Sequence, residues 1–240
     1  MKLALKGVCA QYGQFKVLNG VDLDVPSGDL RVVIGLNGAG KSSMAKCLFG
    51  LLKVSRGRVT LGDTDITNAA PRTLLNLGIA YVPQRPSIFP QLSVEDNLEM
   101  GLFQVRRDDR SVLEGVFNRF DLLAQRRRTL AQALSGGERR LLEIARALMV
   151  EPRILILDEP SLGLSPKMLG VILDEIRRIN SEGVTVILIE QRIRAALTIA
   201  KSLSVLRLGR VVFTGDPKEA ADPRRLSELL STSSENLLAA

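Results

Sequence analysis

Eight consecutive residues, Gly35-Leu36-Asn37-Gly38-Ala39-Gly40-Lys41-Ser42, restrict this chain more tightly than anything else in it. Glycine opens the run, and Gly-Lys-Ser closes it at the spacing of a phosphate-binding loop. That pattern has meaning only between a strand and a helix, and both flanks comply. Leu30 to Ile34 is an apolar run, and Met44, Leu48 and Leu51 recur at helical spacing. The glycines let successive backbone N–H groups curl around phosphate oxygens, while the N-terminus of the helix adds the positive end of its dipole. In this reading Lys41 brings a point charge to the β and γ phosphates of a nucleotide. Ser42 sets its hydroxyl on Mg²⁺, and Ser43 reaches the α phosphate.

A second element fits the first. Ile154 to Leu157 is a continuous apolar run ending in Asp158-Glu159, the form of a buried strand that delivers two carboxylates to the ligand edge of a doubly wound sheet. Asp158 is expected to hold Mg²⁺ through water, and Glu159 to accept the proton of a water attacking the γ phosphate. The chain contains no histidine, so carboxylates must do any base work near neutral pH.

The remaining pattern is mixed α/β. Val21, Leu23 and Val25 alternate with Asp22 and Asp24, and Val59 and Leu61 continue the period, so the N-terminal part is expected to hold antiparallel sheet. Val32 to Ile34, Ile154 to Leu157 and Val184 to Ile189 read as parallel strands covered on both faces. Ser165 and Pro166 start a helix with Leu169, Ile172, Ile176 and Ile179 on one face, closed by Asn180 and Gly183. Between Pro86 and Ala133 strand signals vanish. Ser93 with Asp96, and then Val112, Val116, Phe117 and Phe120, predict short amphipathic helices there. Val205 to Leu208 and Val211 to Phe213 predict a hairpin turning at Gly209-Arg210, and residues 231–240 a frayed tail.

Composition narrows the partners. The net charge of +7 suits any anionic ligand, but aromatics are only 4% of the residues and do not interleave with the basic run Arg126-Arg127-Arg128. Nucleic-acid stacking is therefore not expected, and that run reads as a solvated face. Cys9 and Cys47 read as small buried hydrophobes rather than metal ligands. The longest apolar runs are far shorter than the roughly 18 to 20 residues that span a bilayer, and Lys2 and Lys6 interrupt the N-terminal apolar stretch, so a cytosolic, soluble chain is expected.

Leu134-Ser135-Gly136-Gly137-Glu138 precedes a helical pattern through Leu141, Leu142, Ile144, Ala145 and Leu148. Ser135 and Glu138 form a capping box. Neither cap explains two glycines in the first turn, each costing about 0.5–1 kcal/mol relative to alanine, so a close approach to this backbone is expected. These five residues resemble the signature of ABC ATPases, and the other motifs of that family stand in its order. Tyr12 matches the aromatic that stacks on adenine, residues 35–42 the Walker A loop, Gln84 the Q-loop, Asp158-Glu159 the Walker B end, and Ser161 to Ser165 the D-loop.

The resemblance covers roughly residues 3–225 and implies an α/β fold: a RecA-like P-loop NTPase core, an N-terminal antiparallel β subdomain and an α-helical insertion. Residues of about 1–86 and 150–230 would make the catalytic core with its β subdomain, and 87–149 the helical subdomain. It also implies two ATP molecules, with Mg²⁺ held by Ser42, Gln84 and Asp158, sandwiched between two such subunits. Leu134, Ser135, Gly136, Gly137 and Glu138 would then face the partner's ATP.

Residues 78–84, Phe89-Pro90 and residues 94–98 more narrowly resemble the LivF type of branched-chain amino acid importer subunit. That implies transmembrane permease subunits at the cytoplasmic face of the cell membrane and, indirectly, a periplasmic or extracellular binding protein. Gln191 stands where most of the family has a switch histidine, as it does in LivF-type subunits, which pair with a different ATPase subunit. A heterodimer with unequal sites is the expectation, with a homodimer as the alternative. Urea or amide import, lipid or lipopolysaccharide export, and a non-hydrolysing nucleotide-binding regulatory module are the rival functions.

Overall fold

A computed structural model describes residues 1–103, 110–220 and 222–231. The chain opens with β1 (Leu3–Tyr12) and β2 (Phe15–Val25), an antiparallel pair whose alternating apolar residues share one buried face. Next come β3 (Leu30–Ile34), α1 (Lys41–Leu48), β4 (Val54–Leu61) and the two-residue β5 (Thr64–Asp65). α2 (Pro71–Asn76) and β6 (Ile79–Val82) follow, then α3 (Val94–Phe103), α4 (Arg110–Arg119), α5 (Asp121–Ala124) and α6 (Gly136–Leu148). The last part runs β7 (Ile154–Asp158), α7 (Pro166–Ser181), β8 (Thr185–Ile189), α8 (Ile193–Leu197), β9 (Ser202–Arg207), β10 (Arg210–Gly215) and α9 (Pro223–Leu230).

Two sheets result. A four-stranded antiparallel sheet has the order β2-β1-β4-β5, and a six-stranded sheet the order β10-β9-β3-β8-β7-β6. In the larger sheet only the edge strand β10 runs antiparallel. Burial explains the sequence texture: every residue of β3, β7 and β8 is buried, which is why these runs are apolar throughout. Val33, Ile156, Ile187 and Ile189 face one core shared with the antiparallel sheet and Met44, Ala45 and Leu48 of α1. Val32, Leu155, Leu157, Val186 and Leu188 face a second core with α6, α7 and the helices between β6 and β7.

Several expectations need correction. Leu51 lies beyond α1, which stops at Leu48 and turns through Gly50 at φ 68°, so its helical spacing is coincidental. The C-terminal hairpin turns at Leu208-Gly209, one residue earlier than expected, because both residues adopt positive φ and Arg210 is already paired with Arg207. Cys9 is only half-buried, and its sulfur accepts from the Gly20 amide at 3.2 Å. Arg127 is not simply solvated: its Nη2 reaches Glu95 at 2.6 Å and Glu114 at 2.7 Å, and its guanidinium lies 4.5 Å from the Phe117 ring centre. Of the expected tail only Ser231 is described, its carbonyl accepting from Arg207 Nη1 at 2.5 Å; residues 232–240 lie outside the described residues.

Candidate functional site

The carboxyl ends of four neighbouring parallel strands deliver the phosphate loop and the polar groups expected beside it. β3 leads into Gly35, β8 into Glu190-Gln191, β7 ends on Asp158 with Glu159 beyond it, and β6 leads into Pro83-Gln84. This is the edge at which open α/β sheets place their ligands. The eight-residue loop joins β3 to α1, with Gly40 as N-cap at φ 105° and Gly38 at φ 79°, both in conformations that disfavour a side chain. Gly35 is needed for a different reason. A Cβ there would stand 2.2 Å from the Leu206 carbonyl oxygen of β9.

Inside the loop, the Lys41 ammonium donates to the carbonyls of Gly35 at 2.9 Å and Leu36 at 3.3 Å. Its burial lowers the lysine pKa, an effect opposed by the charges of Glu159, Asp158 and Glu190. Ser42 Oγ donates to Asp158 Oδ1 at 3.0 Å, and the Tyr81 hydroxyl donates to Oδ2 at 3.2 Å. Burial raises the Asp158 pKa despite these two donors. Tyr81, which entered the sequence reading only within residues 78–84 and with no role of its own, thus lies at the site; its hydroxyl is pushed well above the ordinary tyrosine range by burial and by Asp158.

Glu159 sits at φ 49°, a strained backbone for a non-glycine residue, and its amide donates to the Ile189 carbonyl at 2.9 Å. Its carboxylate is held from two sides, by Gln84 Nε2 at 2.7 Å on Oε2 and Gln191 Nε2 at 2.6 Å on Oε1. Lys41 Nζ stands 3.9 Å from the same Oε1. Behind them, buried Glu190 accepts from the Ser161 amide and hydroxyl at 3.0 and 2.7 Å and from the Gln191 amide at 3.1 Å, binding the turn after β7 to the turn after β8. The role of Glu190 was also unread in the sequence, where it is one more acidic residue after a strand.

The outlying residues divide. Tyr12 is exposed, and Lys46 of α1 reaches its hydroxyl at 3.5 Å. Ser135 caps α6 through the Glu138 amide, and the Glu138 carboxylate accepts from the Ser135 amide at 2.7 Å. Gly136 has open space where a Cβ would lie, so an outside group can approach it. Gly137 does not share that reason: a Cβ there would meet Met168 Cγ of α7 at 2.6 Å. Leu134 is likewise buried in the core, so of these five residues Ser135, Gly136 and Glu138 face outward.

This geometry can hold a polyphosphate on the loop, with the carboxylates of Asp158 and Glu159 beside Ser42 and Lys41. Comparisons with known proteins agree. The family model described as ABC transporter matches residues 18–162. The branched-chain amino acid transport ATP-binding protein BraG of Pseudomonas aeruginosa is 38% identical, covering 88% of this chain and 91% of that one. The "Probable branched-chain amino acid transport ATP-binding protein LivF" of Archaeoglobus fulgidus is 36% identical, covering 92% and 94%. The lipopolysaccharide export system ATP-binding protein LptB of Acidithiobacillus ferridurans is 34% identical, covering 92% of each. Among solved structures, the ADP conformation of MJ1267, an ATP-binding cassette of an ABC transporter, aligns with a TM-score of 0.84 at 30% identity, covering 95% of this chain and 98% of that one. The chain therefore belongs to the ABC transporter family, as an ATP-binding and ATP-hydrolysing subunit.

Proposed function

We propose that this subunit powers import of branched-chain amino acids, working at the cytoplasmic face of the cell membrane with permease subunits and a second, different ATPase subunit. The observation that carries the hydrolytic part is the clamp on Glu159, whose two carboxylate oxygens are each fixed by a glutamine amide beside Lys41. The likeness to BraG and LivF supports the substrate class. No helix among the described residues is long and apolar enough to cross a membrane, so the path for the substrate would come from other subunits.

In the proposed mechanism the backbone N–H groups of residues 35–43 and the start of α1 bind the phosphates, and Lys41 turns from its loop carbonyls to the β and γ oxygens. Tyr12 stacks on the adenine. The Ser42 hydroxyl and Asp158 carboxylate place hard oxygen donors 3.0 Å apart at the phosphate end, a pair that fits Mg²⁺, and Gln84, whose amide nitrogen is spent on Glu159, would offer its amide oxygen. When bound, Mg²⁺ neutralises charge on the β and γ phosphates. Glu159 orients the attacking water and accepts its proton as the water oxygen bonds to the γ phosphorus. The bond from that phosphorus to the bridging oxygen breaks, and its electron pair leaves with ADP. Gln84 and Gln191 fix the direction of the carboxylate.

Ser135, Gly136 and Glu138 present the outward part of α6's start to the ATP of the other subunit. Gln191 can donate a hydrogen bond but cannot become a cation, which supports unequal sites in a heterodimer. The test is reconstitution in lipid vesicles with permease subunits and a second ATPase subunit of the branched-chain amino acid type. ATP-dependent uptake of labelled leucine or valine is the expected result, with hydrolysis low for the isolated chain and raised by its partner. Full turnover as a purified homodimer would sink the heterodimer. Lipid-linked export without amino acid uptake would favour the reading that LptB supports.

A further inference from the structure

A buried ionic ladder on α6 lies outside the residues assigned so far. Arg140 and Glu143 are 7% and 4% exposed, and Arg140 Nη1 meets Glu143 Oε2 at 2.7 Å. The rest of the guanidinium is spent on backbone: Nη1 donates to the Pro83 carbonyl and Nη2 to the Gln84 carbonyl, each at 2.9 Å. Glu143 Oε1 accepts from the Ser87 amide at 2.5 Å, and Arg146 Nη2 donates to the Ser87 carbonyl at 2.8 Å. Three side chains of one helix thus hold the segment that carries Gln84, whose own amide holds Glu159 Oε2.

Neutralising Glu143 needs only a positive charge. Holding the Glu143 carboxylate and the adjacent Pro83 and Gln84 carbonyls from two separate nitrogens in one plane uses the rigid fork of a guanidinium, which the single ammonium nitrogen of lysine lacks. The Arg140 backbone lies about one helical turn, a rise of about 6 Å, from the open backbone of Gly136 at the start of the same helix. We infer that Arg140 is a positioning residue that ties the outward-facing start of α6 to the hydrolytic carboxylate, by fixing the backbone of Gln84. The inference rests on Glu159 being the base. A shift of α6 caused by a group docking on Gly136 is then transmitted to the chain's own site through one side chain.

The test is a double-mutant cycle in the full-length chain assembled with its partner ATPase subunit, measuring phosphate release against MgATP concentration. Arg140→Lys keeps the charge opposite Glu143 and removes the fork. The expected result is a fall in kcat of about tenfold with KM for ATP changed less than twofold. In a Gln84→Ala background the same substitution should lower kcat no further, because the two residues act in series. Independent, multiplying effects, or a loss confined to KM, would overturn the inference, since a purely structural Arg140 would act regardless of Gln84. Glu143→Gln, which loosens Arg140 while preserving volume, runs the same cycle if Arg140→Lys does not fold. Glu159→Gln separates the two levels: retained turnover overturns the base and the coupling together, whereas lost turnover with an additive cycle overturns the coupling alone.

Discussion

The side-chain amide of Gln191 donates to Glu159 Oε1 across 2.6 Å, so a neutral residue from the end of one strand steers the carboxylate at the end of its neighbour. Removing the donor with Gln191→Ala should cost about 1.5–3 kcal/mol of orientation, a drop in kcat of roughly ten- to a hundredfold. The isosteric Gln191→Glu makes a sharper case. A second carboxylate there removes the donor and repels Glu159, so kcat should fall further than in Gln191→Ala. A smaller loss than in Gln191→Ala would show that the pair does not communicate.

Asp158 is held at a cost to the fold. Burial raises its pKa, so this group stabilises the folded chain only when protonated, and that contribution is lost as pH rises through the folded-state value. Asp158→Asn should therefore raise the melting temperature at neutral pH, by the equivalent of about 0.5–2 kcal/mol, with the advantage shrinking in acid. Phosphate release should be abolished. A variant less stable than the parent at pH 7 would contradict this account.

Two glycines separate folding from function. Gly35→Ala forces a Cβ to within 2.2 Å of a β9 carbonyl, and overpacking of this kind costs about 1–3 kcal/mol. Gly136→Ala meets nothing and should stabilise α6 by up to about 1 kcal/mol. In the assembled transporter that same alanine should nevertheless depress turnover. Thermal melting and phosphate release, measured on both variants, check the pair of opposite outcomes.

The triple-arginine run predicts a graded result. Arg127 is tied to Glu95, Glu114 and the Phe117 ring, so Arg127→Ala should lose about 1–2 kcal/mol. Arg126, 54% exposed and 3.8 Å from Glu138, should lose almost nothing when replaced by alanine. Urea titration of both variants measures the difference.

The sequence and the fold agree best where a local pattern has one physical meaning. The continuous apolar runs of β3, β7 and β8, and the Ser165-Pro166 start of α7, read directly because burial on both faces and helix capping leave plain marks. Tyr81, Glu190 and Arg140 left no such mark. Their partners Asp158, Ser161 and Gln84 are distant in the chain, and a lone tyrosine, glutamate or arginine carries no spacing that points to them. At Gly137 too the neighbour is distant in the chain: Met168, 31 residues on in the sequence (168 − 137 = 31), fills the space where a Cβ would lie.

β3 carries the phosphate loop, yet it pairs with β8 on one side and β9 on the other and with nothing translated near it. During synthesis at about 5–20 residues per second, Val205 joins Ile34 roughly 170 residues later, a wait on the order of 10–35 seconds. β8 is made only about 16 residues before Val205 (205 − 189 = 16), so for most of that wait the loop strand has neither neighbour. The strand that carries the phosphate loop is thus framed late in translation, and a chain cut short before β8 has no partner for β3 in the larger sheet.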